Sequence, residues 1–257
     1  MTTAPIRLEV DGREPRLEDL YHPLLTGYGH FTAMQLRAGR VRGLSLHLSR
    51  LAAATRELWS ADLDTDQVRA YAAHAVRDIA DAAVRIMIYH PAELRVLVLV
   101  RPPSSPPAAP LALRSARYER PAAHIKHLGG FGQGYHAAQA VAAGFDDALL
   151  VDHTGAVEEA AIYNVGFYDG TTVTWPTAPH LSGIAMQLLA PRLPEAGISS
   201  RTARVELSDL PSFRAAFVTN SIGITAVRRI DDIEYPIDAT LMSALTRAES
   251  TIPWDAL

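Results

Sequence analysis

Hydrophobic and polar residues recur with two different spacings along the first part of the chain. Short apolar stretches at 31–36 and 41–46 are typical of β-strands, and a helix is predicted from about 45 to 59. Asp64 is a helix N-cap residue type, and the helix predicted after it has one apolar face that indicates packing on a sheet. That face consists of Val68, Tyr71, Ala72, Ala75, Val76 and Ile79.

Runs of β-branched and aliphatic residues continue the pattern of strands. Residues 84–89 and 94–100 predict a hairpin in a buried sheet, and the proline-rich stretch 101–107 cannot continue a central strand. We place a domain boundary near Tyr118, with a helix near 133–143 beyond it. Further strands are expected at 147–152, 157–167, 171–175, 215–220 and 225–230, with a two-residue hairpin turn at Asp169-Gly170.

These elements assign the chain to the mixed α/β (α+β) class with two domains. We expect a small α/β domain over residues 1–118 and a larger, strand-rich domain over residues 119–257. The length of 257 residues and a hydrophobic content of 48% allow a substantial core.

Composition narrows the range of functions. The net charge of −4 gives no electrostatic reason to expect nucleic acid or an anionic membrane as partner, and no run of 18 uncharged apolar residues occurs. The chain has no cysteine, which excludes disulfides and thiolate chemistry. His124 and His127 lack a cluster of carboxylates nearby in sequence, so we expect no metal site. The composition favours a cytoplasmic enzyme that acts on small molecules.

Lysine usage points to one position. Of 24 basic residues, Lys126 is the only lysine, and the other basic residues are arginines. A guanidinium stays protonated in proteins, whereas a desolvated ammonium group can lose its proton and act as a nucleophilic amine. The apolar and glycine-rich surroundings, with Gly129, Gly130, Gly132 and Gly134 following, suit a buried amine next to a planar ligand.

Four motifs occur in a fixed order around this lysine. Residues 47–51 read His-Leu-Ser-Arg-Leu and 124–128 read His-Ile-Lys-His-Leu. Residues 155–159 read Gly-Ala-Val-Glu-Glu, Asn164 follows, and 181–185 read Leu-Ser-Gly-Ile-Ala. Together they resemble the class IV aminotransferases. These are fold-type-IV pyridoxal-phosphate (PLP) enzymes that include branched-chain and D-amino acid aminotransferases and 4-amino-4-deoxychorismate lyase, and the resemblance runs from about Gly27 to Asp231.

The resemblance implies a fold, a cofactor and a set of site residues. The expected fold is a small α/β domain followed by a larger strand-rich pseudo-barrel that binds PLP. Lys126 would form the Schiff base with the cofactor, and Glu159, five positions before Asn164, would hold the pyridine nitrogen. Adjacent Glu158 would point to the opposite face of a strand. The resemblance also implies that the protein is a homodimer and that its substrates are amino acids and keto acids.

A second set of residues is implied for the cofactor's phosphate. Arg50 occupies the position of the family's phosphate arginine, and Gly183, Ile184 and Ala185 would supply backbone amides at a helix start. Asn220 and Ser221 resemble the family's last phosphate-binding turn. For the substrate pocket we expect Phe31, Ala33 and Tyr135, although the strand face of 31–36 that lines the pocket stays open.

Departures from the family pattern leave the reaction open. Relatives often carry glutamate where this chain has Thr32, tyrosine at Phe131 and arginine at Met186. Aminotransfer is the preferred activity. A PLP lyase resembling 4-amino-4-deoxychorismate lyase and a cofactor-free, non-catalytic relative remain as alternatives.

Overall fold

The computed structural model describes residues 5–90 and 92–257, which form two compact units. The first contains the described residues up to Ser104 with Ile125–Gly129 and Pro253–Leu257, and the second contains Ser105–His124 and Gly130–Ile252. The units therefore change over after Ser104 and not at Tyr118, and Lys126 belongs to the first unit. The reason is hydrogen bonding, because a strand at Leu111–Arg117 pairs within the second unit's sheet.

In the part of the chain that the structure describes, the first unit is built on a four-stranded antiparallel sheet with three helices. Its strands are β1 (Arg7–Val10), β2 (His30–Leu36), β4 (Ala82–Tyr89) and β5 (Arg95–Arg101), in the order β1-β5-β4-β2. The helices are α1 (Leu17–Thr26), α2 (Leu44–Trp59) and α3 (Thr65–Ala75), and a short strand β3 (Arg40–Arg42) pairs with β15 (Trp254–Ala256).

The two faces of this sheet differ. On one face, Met34, Leu36 and Ile86 are buried in a core shared with α2 and α3. Because side chains alternate along a strand, Phe31, Ala33 and Gln35 project from the other face, where each is only half-buried. The partly exposed face of 31–36 is therefore the one that carries Phe31, Ala33 and Gln35.

The second unit is built on a large mixed sheet with helices on its sides. Among the described residues the sheet has nine strands, eight of them in the order β11-β10-β9-β12-β13-β6-β7-β8, with β14 paired to β13. Its strands are β6 (Leu111–Arg117), β7 (Asp147–Val151), β8 (Val157–Ala160), β9 (Asn164–Tyr168), β10 (Thr172–Pro176), β11 (Ser199–Ala203), β12 (Ala215–Asn220), β13 (Gly223–Ile230) and β14 (Ile233–Glu234). Its helices are α4 (Phe131–Ala142), α5 (Ile184–Leu189) and α6 (Ala239–Ser250), with short 3-10 helices at Ala190–Arg192 and Leu207–Ser212.

Two predicted strands differ from the structure. The strand expected over 41–46 ends at Arg42, because Gly43 takes a left-handed conformation with φ 68° and helix α2 begins at Leu44. The strand expected over 157–167 is two strands, since the chain bends at 161–163 and the Ala160 amide donates to the Tyr163 carbonyl. The bend leaves Glu159 near the end of β8 and Asn164 at the start of β9. Among the described helices, none is long and apolar enough to span a membrane.

Candidate active site

Lys126 lies on a segment that pairs with the start of β2. The Phe31 amide donates to the Lys126 carbonyl at 2.8 Å, and the Leu128 amide donates to the Gly29 carbonyl at 2.8 Å. The side chain is half-buried, and its Nζ lies 5.0 Å from the centroid of the Phe31 ring. The chain's single lysine is therefore held by backbone hydrogen bonds next to an aromatic ring.

A second cation shares that ring. The guanidinium carbon of Arg85 lies 4.4 Å from the Phe31 ring centroid, and Arg85 is paired across the sheet with Ala33. Its Nε is buried without a hydrogen-bond partner among the described residues. Burial, and then the charge of Arg101, lowers the pKa of Arg85. Among the described residues no carboxylate forms an ion pair with Arg85, and such a cation on a partly exposed sheet face is suited to bind an anion.

Arg50 belongs to a polar network with Thr32 and His47, both of which are buried. Its guanidinium donates to the Thr32 hydroxyl, which also lies 2.5 Å from His47 Nδ1. The Arg50 Nε has no hydrogen-bond partner in the described part of the chain, and burial lowers the pKa of Arg50 to about 10. Burial, and then the charges of Arg50 and Lys126, lowers the pKa of His47 to about 3, so that the imidazole is neutral at physiological pH.

Thr32 gives Arg50 a hydrogen-bond partner that carries no negative charge. A carboxylate at this position would form an ion pair with the guanidinium. The threonine hydroxyl accepts a hydrogen bond and brings no charge. Arg50 is thus a partly buried cation whose Nε has no hydrogen-bond partner in the described part of the chain.

In the second unit, Glu159 is held at both carboxylate oxygens. Its Oε1 accepts from Arg120 Nε at 2.9 Å, and its Oε2 accepts from the Leu181 amide at 3.2 Å. Both partners of the ion pair are buried, with 3% of the Arg120 side chain and 6% of the Glu159 side chain exposed. Glu158 is also buried, but its Oε2 has no hydrogen-bond partner among the described residues, and burial raises its pKa to about 7.

Asn164 links this carboxylate to the glycine motif. Its Nδ2 donates to the Leu181 carbonyl at 2.7 Å, so the peptide groups flanking Leu181 are bound by Glu159 on one side and Asn164 on the other. A Cβ on Gly183 would lie 1.9 Å from Asn164 Oδ1. The position therefore requires glycine for packing reasons. Gly183 is the N-cap of α5, and Ile184 and Ala185 are the first two residues of this six-residue helix.

The remaining expected site residues lie on a turn and on a helix. Asn220 ends β12, opposite the bend of the chain, because Thr219 pairs with Asn164 and Asn220 Nδ2 donates to the Ile162 carbonyl at 3.3 Å. Ser221 follows on an exposed turn. Tyr135 lies on the exposed side of α4, where its ring stacks with Phe131 at 6.1 Å between centroids.

The structure thus groups the expected residues in two sets, one in each unit. Lys126, Phe31 and Ala33 lie on or beside β2, and Arg50 reaches the same strand through Thr32. Glu159, Gly183 and Asn220 are connected through Asn164 and its strand pairing.

Sequence reasoning missed Arg85 and Arg120. Arg85 has a recognisable signal, because it is a charge inside the apolar run 84–89, whereas Arg120 has none in a chain rich in arginine.

Comparisons with known proteins identify the family to which the chain is similar. The family model for amino-transferase class IV matches residues 29–230. A probable branched-chain-amino-acid aminotransferase of Rickettsia felis is 32% identical over 97 residues, which is 37% of this chain and only 33% of that relative. The match thus spans about a third of the curated relative's length.

Solved structures extend the similarity to nearly the whole chain. A hypothetical aminotransferase from Mycobacterium tuberculosis, in a form with α-ketoglutarate and PMP bound, superposes with a TM-score of 0.84 at 19% identity and covers 95% of this chain and 98% of its own. A chain assigned as a 4-amino-4-deoxychorismate lyase from Legionella pneumophila gives 0.79 at 18% identity, with 89% and 92% covered. The predicted fold class is confirmed as that of the fold-type-IV transaminases. With four-fifths of its length matched by the family model, the chain belongs to the class IV aminotransferase family.

Proposed function

We propose that this chain is a PLP-dependent aminotransferase for an amino acid and keto acid pair, with Lys126 as the Schiff-base residue. The observation that carries the proposal is the setting of Lys126. It is the single lysine of the chain, it is half-buried against Phe31, and its charge acts on the buried His47. The M. tuberculosis neighbour, crystallised with PMP and α-ketoglutarate, supports the same cofactor and substrate classes.

The residues present fit the cofactor. PLP supplies an aldehyde that an amine can hold and a protonated ring that withdraws electrons from the substrate α-carbon. Arg50 is a partly buried guanidinium whose buried Nε lacks a partner among the described residues, which suits the phosphate. We assign further phosphate contacts to the amides of Gly183, Ile184 and Ala185 and to Asn220 and Ser221.

Two residues carry the proposed proton chemistry. Glu159, buried and paired with Arg120, would keep the ring nitrogen protonated. Lys126, once released from the cofactor by the incoming amine, would move the proton at the substrate α-carbon with its amino group. Because Phe131 has no hydroxyl, we assign to Tyr135 the hydrogen bond to the cofactor's ring hydroxyl.

Arg85 is the proposed anchor for a substrate carboxylate. Its guanidinium lies on the half-open face of β2 with Phe31 and Ala33, and its Nε lacks a partner in the described part of the chain. An α-amino acid and its keto acid both carry a carboxylate that such a group binds. Thus Phe31 and Ala33 would line the pocket and Arg85 would orient the substrate.

A PLP lyase is the second candidate. The charge of Arg101 acts on Arg85, and two neighbouring guanidinium groups would suit a substrate with two carboxylates, such as an amino-deoxychorismate. The Legionella neighbour belongs to that class by its assignment.

We further propose a cytoplasmic homodimer. Large apolar side chains are exposed on α1, where Leu24 and Leu25 are 74% and 82% exposed, and such side chains are typical of a surface that a partner covers.

The fate of the amino group separates the two activities. Transamination leaves an amino group on the cofactor when an amino donor is given without an acceptor, whereas elimination returns the cofactor unchanged. We expect single-turnover absorbance changes with at least one member of a panel of L- and D-amino acids, and no pyruvate release from amino-deoxychorismate. Pyruvate release together with no absorbance change for any amino acid would make the lyase the correct assignment.

A further inference from the structure

Glu159 is bound by a side chain that none of the sequence motifs contains. Arg120 Nε donates to Glu159 Oε1 at 2.9 Å, and the Arg120 guanidinium also donates to the Ala123 carbonyl. Arg120 is therefore fixed at two points, a carboxylate on one strand and a backbone carbonyl three residues along its own segment.

We propose that Arg120 is a positioning residue that holds the Glu159 carboxylate in one orientation for the ring nitrogen of the cofactor. The inference rests on the role proposed for Glu159. A buried carboxylate without a cation becomes protonated or turns toward another donor. With Arg120 on one oxygen and the Leu181 amide on the other, the plane of the carboxylate is set by two donors.

The hydrogen bonds continue beyond Glu159. The Leu181 amide donates to Glu159, while the Leu181 carbonyl accepts from Asn164 Nδ2 at 2.7 Å. Arg120, Glu159 and Asn164 are all buried. The orientation of Glu159 is therefore supported from one side by a guanidinium and from the other by a backbone segment that Asn164 fixes.

The neighbouring carboxylate shows that this support is selective. Glu158 is as buried as Glu159, but no ion pair with Glu158 occurs among the described residues, and its Oε2 lacks a hydrogen-bond partner there. Two adjacent glutamates on one strand thus differ in their hydrogen-bond and ion-pair partners. The Arg120 guanidinium pairs with Glu159, whereas Glu158 receives a hydrogen bond from the Arg120 backbone.

The test compares Arg120→Gln and Arg120→Lys with the control Arg117→Gln, which changes an exposed arginine on the adjoining strand β6. The full-length apo-protein is titrated with pyridoxal phosphate and followed by absorbance. We expect Arg120→Gln to weaken cofactor binding at least ten-fold and to lower kcat at least ten-fold with KM within about two-fold. Arg120→Lys should recover part of both losses, and Arg117→Gln should match the wild type.

A double-mutant cycle with Glu159→Gln tests whether Arg120 acts through Glu159. We expect Arg120→Gln to have little further effect on cofactor affinity once Glu159 is neutral. The double variant also buries no unpaired charge, so it can be measured even if Arg120→Gln folds poorly.

Three outcomes overturn the proposal: unchanged affinity and kcat in Arg120→Gln, tighter cofactor binding in that variant, or losses that multiply in the double variant. If instead Glu159→Gln itself leaves cofactor affinity and absorbance unchanged, the proposed role of Glu159 fails, and the inference about Arg120 fails with it.

Discussion

Glu158 and Glu159 are neighbours in sequence and both are buried, yet their electrostatic settings differ. Glu159 is paired with Arg120 at 2.9 Å. Glu158 lacks such a pair among the described residues, and burial raises its pKa to about 7. A carboxylate that holds a pyridinium must carry a negative charge, and of the two glutamates Glu159 is the one with a guanidinium partner among the described residues.

Glutamine replacements at the two positions should therefore affect the rate differently. We expect Glu159→Gln to lower kcat by about 10²- to 10³-fold, because the ring nitrogen loses a preorganised negative charge. Glu158→Gln should change kcat by less than about three-fold. Steady-state kinetics of both variants measure this, and equal modest losses would mean that the wrong carboxylate has been assigned.

Glu158→Gln should also change how the unfolding free energy depends on pH. The folded protein binds the Glu158 proton more tightly than the unfolded chain does. This contribution is fully present below the unfolded pKa of about 4.5 and is lost as pH rises through about 7. Glu158→Gln is neutral at every pH, so its unfolding free energy should exceed that of the wild type by more at pH 8 than at pH 5. Urea denaturation at the two pH values provides the comparison.

Chemistry at the level of single residues was partly predictable. The importance of Lys126 could be predicted from the count of lysines. The sequence could not decide which face of β2 is partly exposed, the one with Phe31 and Ala33 or the other, because alternation alone gives two equivalent choices. Arg120 could not be predicted, since an ion pair between positions 39 residues apart leaves no local pattern.

At the scale of elements, the start of α5 depends on close packing against β9. Gly183 and Asn164 approach so closely that a Cβ on Gly183 would lie 1.9 Å from Asn164 Oδ1. Asn164 cannot move without losing its hydrogen bond to the Leu181 carbonyl. Glycine at position 183 therefore allows β9 and the start of α5 to approach this closely, independently of any ligand.

Gly183→Ala should consequently destabilise the protein, by about 1–3 kcal/mol, because the methyl group overpacks the contact. The matched control is Gly134→Ala in helix α4, where a Cβ meets no atom within 4 Å. There alanine should stabilise the helix by about 0.5–1 kcal/mol. Denaturant unfolding measures both, and a neutral or stabilising effect at Gly183 would contradict the packing described for this motif.

Elements with strong local signals were predicted well. Asp64 caps α3 by accepting from the Gln67 amide. A turn joins β9 to β10 one residue later than predicted, because the Asp169 amide donates to the Thr172 carbonyl and leaves Gly170 and Thr171 as the turn residues. Strand β6 was missed because it follows a proline-rich stretch, and the break at 161–163 was missed because Ile162 and Tyr163 are residue types that favour strands.

At the scale of the whole molecule, the division into units depends on contacts between distant parts of the sequence. Residues 125–129 and 253–257 join the first unit through pairing with β2 and β3. A boundary placed from composition could not include such segments. Family membership, in contrast, was predictable, because the motifs lie in a fixed order over the residues that the family model matches.

The central claim is that Lys126 holds pyridoxal phosphate, and one chemical experiment tests it directly. The purified protein is supplied with the cofactor, reduced with borohydride, digested and mapped by mass spectrometry. The only other primary amine on the polypeptide is the N-terminal one, because Lys126 is the only lysine. We expect a phosphopyridoxyl group on Lys126 in the wild type. In a folded Lys126→Arg variant we expect no such group at position 126. A colourless protein whose Lys126 is unmodified would contradict the account and favour a cofactor-free, non-catalytic member of the family.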